Sequence, residues 1–199
     1  MKNVKNSLIV AITGGIGSGK TFFTEMLKSK GFSTLSCDDI AREIFEDRSM
    51  KKQLKKLFPS TVSGKIFLKV DRKKLSDIVF IDKEALIRLN AITHPIIIDK
   101  TIKAAKRMPS PVFVEVPLLF ESDYIHLFDK VIVITRDKRE RIKSVMERSD
   151  LSEEEVLNRM ANQVDYDSMD LSQYIVVKND GNEETLKAQL YPLLQKIYE

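Results

Sequence analysis

Gly14, Gly15, Ile16, Gly17, Ser18, Gly19, Lys20 and Thr21 fit the spacing G-x-x-x-x-G-K-[ST]. These residue types suit one task, gripping a dense polyanion such as a triphosphate. Glycines remove Cβ atoms, so successive backbone N–H groups can converge on phosphate oxygens. A helix that opens at the same point adds its positive end and its unpaired donors. Lys20 puts a point charge at the β and γ phosphates, and the Thr21 hydroxyl is placed to ligate Mg²⁺.

The flanks have the context that such a loop requires. The apolar run Leu8 to Ile12 reads as a buried strand, and Thr21 to Lys28, including Phe22, reads as a helix. Gly31 marks that helix's stop, and Phe32 to Cys37 reads as a second strand. Asp38 to Phe45 opens a helix with Ile40, Ile44 and Phe45 on one face. Strand signals nearly vanish between residues 48 and 107, where lysine-rich amphipathic helices take over. Their stripes are Leu54, Leu57 and Phe58, then Leu75, Ile78, Val79 and Phe80, then Leu86, Leu89 and Ile92. The last of these helices is expected to end near Thr93, with Pro95 in the first turn of a new one.

Strand signals then return in Pro111–Val116, Val131–Thr135 and Tyr174–Val177. Ser152 and Glu155 form a capping box. Asn179, Asp180 and Gly181 form a turn, and Asn182 is expected to cap the final helix. Short apolar strands alternating with helices imply an α/β fold, a parallel sheet covered on both faces with a helical insertion. Ligands bind such sheets at the carboxyl ends of the strands. That singles out the glycine-rich loop, Asp38, Asp39, Glu115 to Glu121, and Arg136.

Each of these side chains fits two readings. Asp38 or Asp39 can orient a hydroxyl acceptor and take its proton, or can cap the next helix. Glu115 can be an acid associated with Mg²⁺, or a carboxylate at the core's edge. Arg139, Arg141, Arg148 and Arg159 flank the capping box; each alone reads as a solvated helix charge, while the group is expected to include one that closes over phosphate. His94 before Pro95 reads most simply as a helix-start residue.

Composition narrows the function classes. The 199 residues can bury a substantial core, and the longest apolar runs are only strand-length, so no membrane span is expected. The single cysteine, Cys37, allows no internal disulfide and reads as a small buried side chain. With no secretory signal at Met1–Lys5, a cytoplasmic setting is expected. Two histidines and one cysteine make no convincing zinc site. The net charge of +4 suits phosphorylated ligands, and the basic runs lack the interleaved aromatics of a nucleic-acid platform. The guanine-specifying Asn-Lys-x-Asp pattern is absent, which argues against a GTPase.

Further pieces occur in a fixed order: Thr13 to Thr21, Asp38 with Ile40-Ala41-Arg42, Asp71-Arg72 with Leu75 and Val79-Phe80, Ile92-Thr93-His94-Pro95, and Val116 to Glu121. With Arg148, Gln163, Asn179 and Gly181 they cover nearly the whole chain, and they resemble the dephospho-coenzyme A kinases, P-loop enzymes. The resemblance implies transfer of the ATP γ-phosphoryl group to the ribose 3′-hydroxyl of dephospho-CoA, with Mg²⁺, giving CoA and ADP. It implies Asp38 as base, Lys20 and Arg148 as charge stabilisers, and Thr13 beside the reacting phosphate. It implies that Gly14 to Phe22, Asn179 and Gly181 bind ATP. Arg42, His94, Pro117, Leu118 and Leu119 then fall on the acceptor side.

The implied organisation is a nucleotide core at 1–47, 108–149 and 172–199, an acceptor domain at 48–107 and a lid at 150–171. Partners are the two small-molecule substrates, with no nucleic acid or membrane, and a monomer is compatible with all of this. The chain departs from the family pattern at Ser36, which stands where an aspartate is usual. Arg141 and Ser144 replace a Gln and an Arg, and Met169-Asp170 replaces a Lys-Arg pair. Arg139, Arg141 or Arg159 could compensate. Rival readings are another kinase of the adenylate-kinase type and a non-catalytic nucleotide-binding regulator.

Overall fold

The computed structural model describes residues 7–181 and 183–198. The capping role expected of Asn182 therefore lies outside the described residues. In chain order the elements are β1 (Ile9–Thr13), α1 (Lys20–Ser29), β2 (Ser33–Ser36), α2 (Cys37–Glu46), α3 (Arg48–Leu57), β3 (Val62–Ser63), β4 (Lys69–Val70), α4 (Arg72–Ile81) and α5 (Lys83–Ala105). Then follow β5 (Val112–Glu115), β6 (Lys130–Thr135), α6 (Lys138–Arg148), α7 (Glu153–Ala161), β7 (Ile175–Lys178), α8 (Glu183–Ala188) and α9 (Leu190–Tyr198). Residue contacts divide these into two units, one running up to Ser36 and resuming at Ala104, the other Cys37–Lys103.

The first unit holds a five-stranded parallel sheet in the order β2-β5-β1-β6-β7. Its central strand β1 is buried along its whole length, which is why its sequence is a continuous apolar run rather than an alternation. Val10, Ile12, Phe113, Ile132, Ile134 and Val177 pack against Phe23 and Leu27 of α1 and Leu186, Leu193 and Ile197 of α8 and α9. Register aligns Ile12 with Glu115, and Ser36 is paired with the same Glu115 from the other side. The carboxyl ends of β1, β2 and β5 thus lie level, below the glycine-rich loop. Gly31 takes a φ of 87° where the chain leaves α1.

The second unit is built on Ile40, Ile44, Met50, Leu54, Phe58, Val62, Leu75, Ala85 and Leu89. The starts of α3, α4 and α5 are fixed by aspartates. Asp47 accepts from the Ser49 N–H, Asp71 from the Lys74 N–H, and Asp82 from the Glu84 and Ala85 N–H groups. The short hairpin β3–β4 interrupts a stretch whose sequence nearly lacks strand signals.

Three expectations need correction here. The break expected near Thr93 does not occur, since α5 runs unbroken through Pro95. Proline removes one backbone donor; Leu89 and Ile92 before it and Ile96 and Ile97 after it all pack on the same core, and that burial outweighs the lost bond. Leu57, Phe80 and Leu86 are exposed, because their helices rotate Met50, Leu75 and Ala85 inward instead. The final helix is two pieces, α8 and α9. Cys37 is buried, as expected, with its thiol 3.7 Å from the Thr101 hydroxyl. No helix among the described residues is long and apolar enough to cross a membrane.

Candidate active site

The glycine-rich loop joins β1 to α1 and wraps the start of that helix. Gly19 occupies the position before the first helical residue with φ 93° and ψ 21°, a left-handed conformation that disfavours a side chain. A Cβ there would also run into the Asn179 amide, which donates 2.8 Å to the Ser18 carbonyl. Asn179 is itself fixed by its own N–H, which donates 2.8 Å to the Thr135 carbonyl at the end of β6. The Lys20 ammonium lies over the loop and donates to the Gly14 and Gly15 carbonyls at 2.7 and 3.1 Å.

The Thr21 hydroxyl donates 2.8 Å to Glu115 Oε1 at the carboxyl end of β5. A hydroxyl and a carboxylate are hard oxygen donors, the set that Mg²⁺ selects. Among the described residues no cluster of three or more His, Cys, Asp or Glu could cage a metal alone. An ion here would need phosphate oxygens as further ligands, the usual arrangement for Mg²⁺ at a nucleotide.

A turn contributed by residues 163–167 closes on the loop from the far end of the chain. Gln163 Oε1 accepts from the Ile16 N–H at 2.8 Å. The buried hydroxyls of Thr13 and Tyr166 lie 3.3 Å apart. Burial pushes the Tyr166 phenol up to about 12, opposed by the Thr13 hydroxyl, reinforced by the Glu121 carboxylate and further opposed by the Gly14 N–H and Arg141. Phe120 packs on this ring with centroids 5.7 Å apart, and Glu121 accepts from the Val164 N–H at 2.9 Å.

Two arginines sit beneath the loop. Arg136 Nη1 approaches the Gly17 carbonyl at 3.5 Å and Nη2 stands 3.6 Å from Glu140. Arg141 has a side chain only 6% exposed and donates 2.7 Å to Asp167, whose side chain is 53% exposed. Among the described residues the buried side-chain atoms without a hydrogen-bond partner are Ser18 Oγ, Arg136 Nε and Arg141 Nε. All three lie on or against the loop. A buried unpaired donor costs about 1–3 kcal/mol, so their convergence marks a place suited to an anion with many oxygens.

The remaining sequence candidates are more dispersed. Arg148, Arg139 and Arg159 are exposed, so of the four flanking arginines Arg141 alone is buried against the loop. Phe22 is exposed on α1, and exposed Gly181 follows Asn179 by two residues. Leu119 is fully buried, Pro117 is half-buried and Leu118 is exposed. In the other unit Asp38 and Asp39 are exposed in the first turn of α2, and the helix begins before both, at Cys37. Asp39 pairs with Arg42 at 2.7 Å. Arg42 also accepts, through its carbonyl, from Arg72 at 3.0 Å. His94 is half-buried in α5, and desolvation holds its imidazole below the usual range.

Tyr166 and Asp167 are not distinguished by any sequence pattern. Their nearest signal is Gln163, three and four residues earlier, at the start of an otherwise acidic turn.

The family model for dephospho-CoA kinase matches residues 8–185. The dephospho-CoA kinase of Thermus thermophilus is 34% identical over 194 residues, covering 97% of this chain and 93% of that protein. A crystal structure of a Thermus thermophilus protein superposes with a TM-score of 0.84 at 35% identity, over 96% of this chain and 98% of that one. Dephospho-CoA kinase from Campylobacter jejuni gives a TM-score of 0.67 at 32% identity, over 95% and 96%.

Proposed function

Because the chain belongs to the dephospho-CoA kinase family, we propose that it transfers the γ-phosphoryl group of ATP to the ribose 3′-hydroxyl of dephospho-CoA, giving ADP and coenzyme A. The observation that carries the nucleotide half of this reading is the set of buried, unpaired polar atoms gathered on the loop at Ser18, Arg136 and Arg141.

Phosphoryl transfer asks the protein mainly for alignment and charge neutralisation. The amides from Gly14 to Thr21 hold the phosphate chain, and Lys20 swings its ammonium from the loop carbonyls to the phosphates. Thr21 and Glu115 are the residues that would hold Mg²⁺, which supplies charge neutralisation across the phosphate oxygens. Asp38 orients the attacking hydroxyl and accepts its proton as the new O–P bond forms and the bond to the ADP oxygen breaks. Being exposed in the first turn of α2, Asp38 is open to a substrate hydroxyl. Arg148, exposed at the end of α6, closes over the transferring group.

Residues 48–107 serve as the acceptor-binding domain, and Arg42, His94, Pro117 and Leu118 are the side chains expected to bind the substrate. Leu119 is better suited to holding the loop after β5 in the core, since it has no exposed surface. Residues 150–171 form the lid. The reaction belongs in the cytoplasm, where the chain's one thiol stays reduced.

A coupled assay of ADP release tests the reading. ADP should appear with ATP and dephospho-CoA together, and far more slowly with ATP alone. Release indifferent to dephospho-CoA but stimulated by a nucleoside monophosphate would replace the proposed acceptor.

A further inference from the structure

We infer that Tyr166 and Arg141, both outside the glycine-rich motif, are positioning residues that set the phosphate-binding loop for ATP. The inference rests on the kinase reading above and assigns the loop's geometry to side chains more than 120 residues away in sequence.

Three residues of one turn, Gln163, Tyr166 and Asp167, reach the loop directly or through Arg141. Gln163 takes the Ile16 N–H, Tyr166 meets the Thr13 hydroxyl and sets its ring beside Gly15, and Asp167 holds Arg141. The space beside Gly15 where a Cβ would stand is filled by Arg141 Nη1, with the Tyr166 ring 3.5 Å from the same point. A Cβ on Gly17 would strike the Arg141 backbone carbonyl. Arg141 therefore closes two of the loop's glycines at once, by side chain and by main chain.

The chemistry favours a positioning role over a purely electrostatic one. Asp167 offsets the Arg141 charge, so the pair adds little net field at the phosphates. What the pair does fix is place. A planar guanidinium bonded to Asp167 and packed on Gly15 has little freedom. Its buried Nε remains without a partner, beside the loop. Tyr166 adds a rigid ring and one buried hydroxyl. Amides held in the bound geometry beforehand need no ordering when ATP arrives, and affinity rises accordingly.

The departure at residues 169 and 170 then gains a physical reading. Met169 and Asp170 supply no cation, and Asp170 is engaged in its own turn, accepting from the Ser172 N–H at 2.9 Å. The turn helps by holding the loop still rather than by bringing charge to it.

Three measurements on the full chain test this. ATP affinity is read by calorimetric titration without acceptor. Tyr166→Phe should weaken it by about 2- to 10-fold, the worth of one hydrogen bond, and Asp167→Asn should weaken it similarly by freeing Arg141. Amide exchange at Gly14 to Ile16 in the unliganded protein should quicken in both. In a cycle of Gly15→Ala with Arg141→Ala, the added methyl should harm ATP affinity less once Arg141 is gone, because the space has opened.

A lowered melting point with wild-type ATP affinity in both single variants would reduce the turn to a stabilising contact and overturn the inference. Strict additivity in the cycle would overturn the contact with Gly15. Failure of transfer to dephospho-CoA in the wild type would sink the acceptor assignment instead, and the ATP titrations would still read the positioning role.

Discussion

The glycine-rich loop and the Cys37–Lys103 unit solve different problems with different materials. Around the loop, polar groups are mostly buried or half-buried and bonded across long sequence distances: Thr21 to Glu115, Asn179 to Ser18, Gln163 to Ile16, Arg141 to Asp167. In the other unit the candidate residues Asp38 and Asp39 are exposed, and the ion pair of Asp39 with Arg42 lies on the surface. Phosphate oxygens present the same dense target every time, so a rigid cradle is worth its ordering cost. The proposed acceptor alcohol must enter, react and leave, a task that suits side chains within reach of solvent. The difference teaches that the two halves of the proposed reaction should fail in different ways.

Lys20→Ala should break the phosphate side most severely. Transfer should fall by roughly 10²- to 10³-fold or more, with ATP affinity also reduced, as initial rates and titration can measure. Normal rates would undo the assignment of the loop. Asp38→Asn should lower turnover by roughly 10²-fold while leaving ATP affinity intact. If ATP binding fell as much as turnover, the proposed division of labour between the two regions would be wrong.

Arg148→Ala should produce a smaller loss, borne by kcat more than by KM for ATP, because the proposed contact forms in the transition state. An effect confined to KM would make Arg148 a ground-state binder.

The mildest expected effect concerns pH. Desolvation lowers the His94 pKa in the folded chain below its ordinary value of 6.5. The unfolded chain then takes up a proton first as pH falls, so the contribution of His94 to stability is complete above about 6.5 and is lost as pH drops through the lower folded value. Urea midpoints between neutral and mildly acidic pH should fall for the wild type, and His94→Asn should flatten that slope.

Legibility in the sequence follows the range of the interactions. The loop, β1 and α1 are readable because their signals are local: eight consecutive residues of fixed type, an apolar run before and a helical pattern after. Glu115 is readable as a position at a strand end and Asn179 through the family resemblance, and the structure brings both to the loop. Pro95 misleads because a local rule about proline is overruled by packing on both sides of it. Leu57, Phe80 and Leu86 mislead because an apolar stripe fixes only roughly which way a helix turns. Tyr166 and the burial of Arg141 are invisible, since nothing in either residue's neighbours reports a partner across the fold. Among four similar arginines, only tertiary contact distinguishes the buried one.

The support that Asn179 gives to Ser18 spans 161 residues. During synthesis the anion-gripping segment therefore leaves the ribosome long before one of its braces has been translated. A nascent chain halted between the two would display the full motif and lack the brace. Competence to hold a nucleotide should lag well behind the appearance of the motif itself, and a stalled ribosome would expose the one without the other.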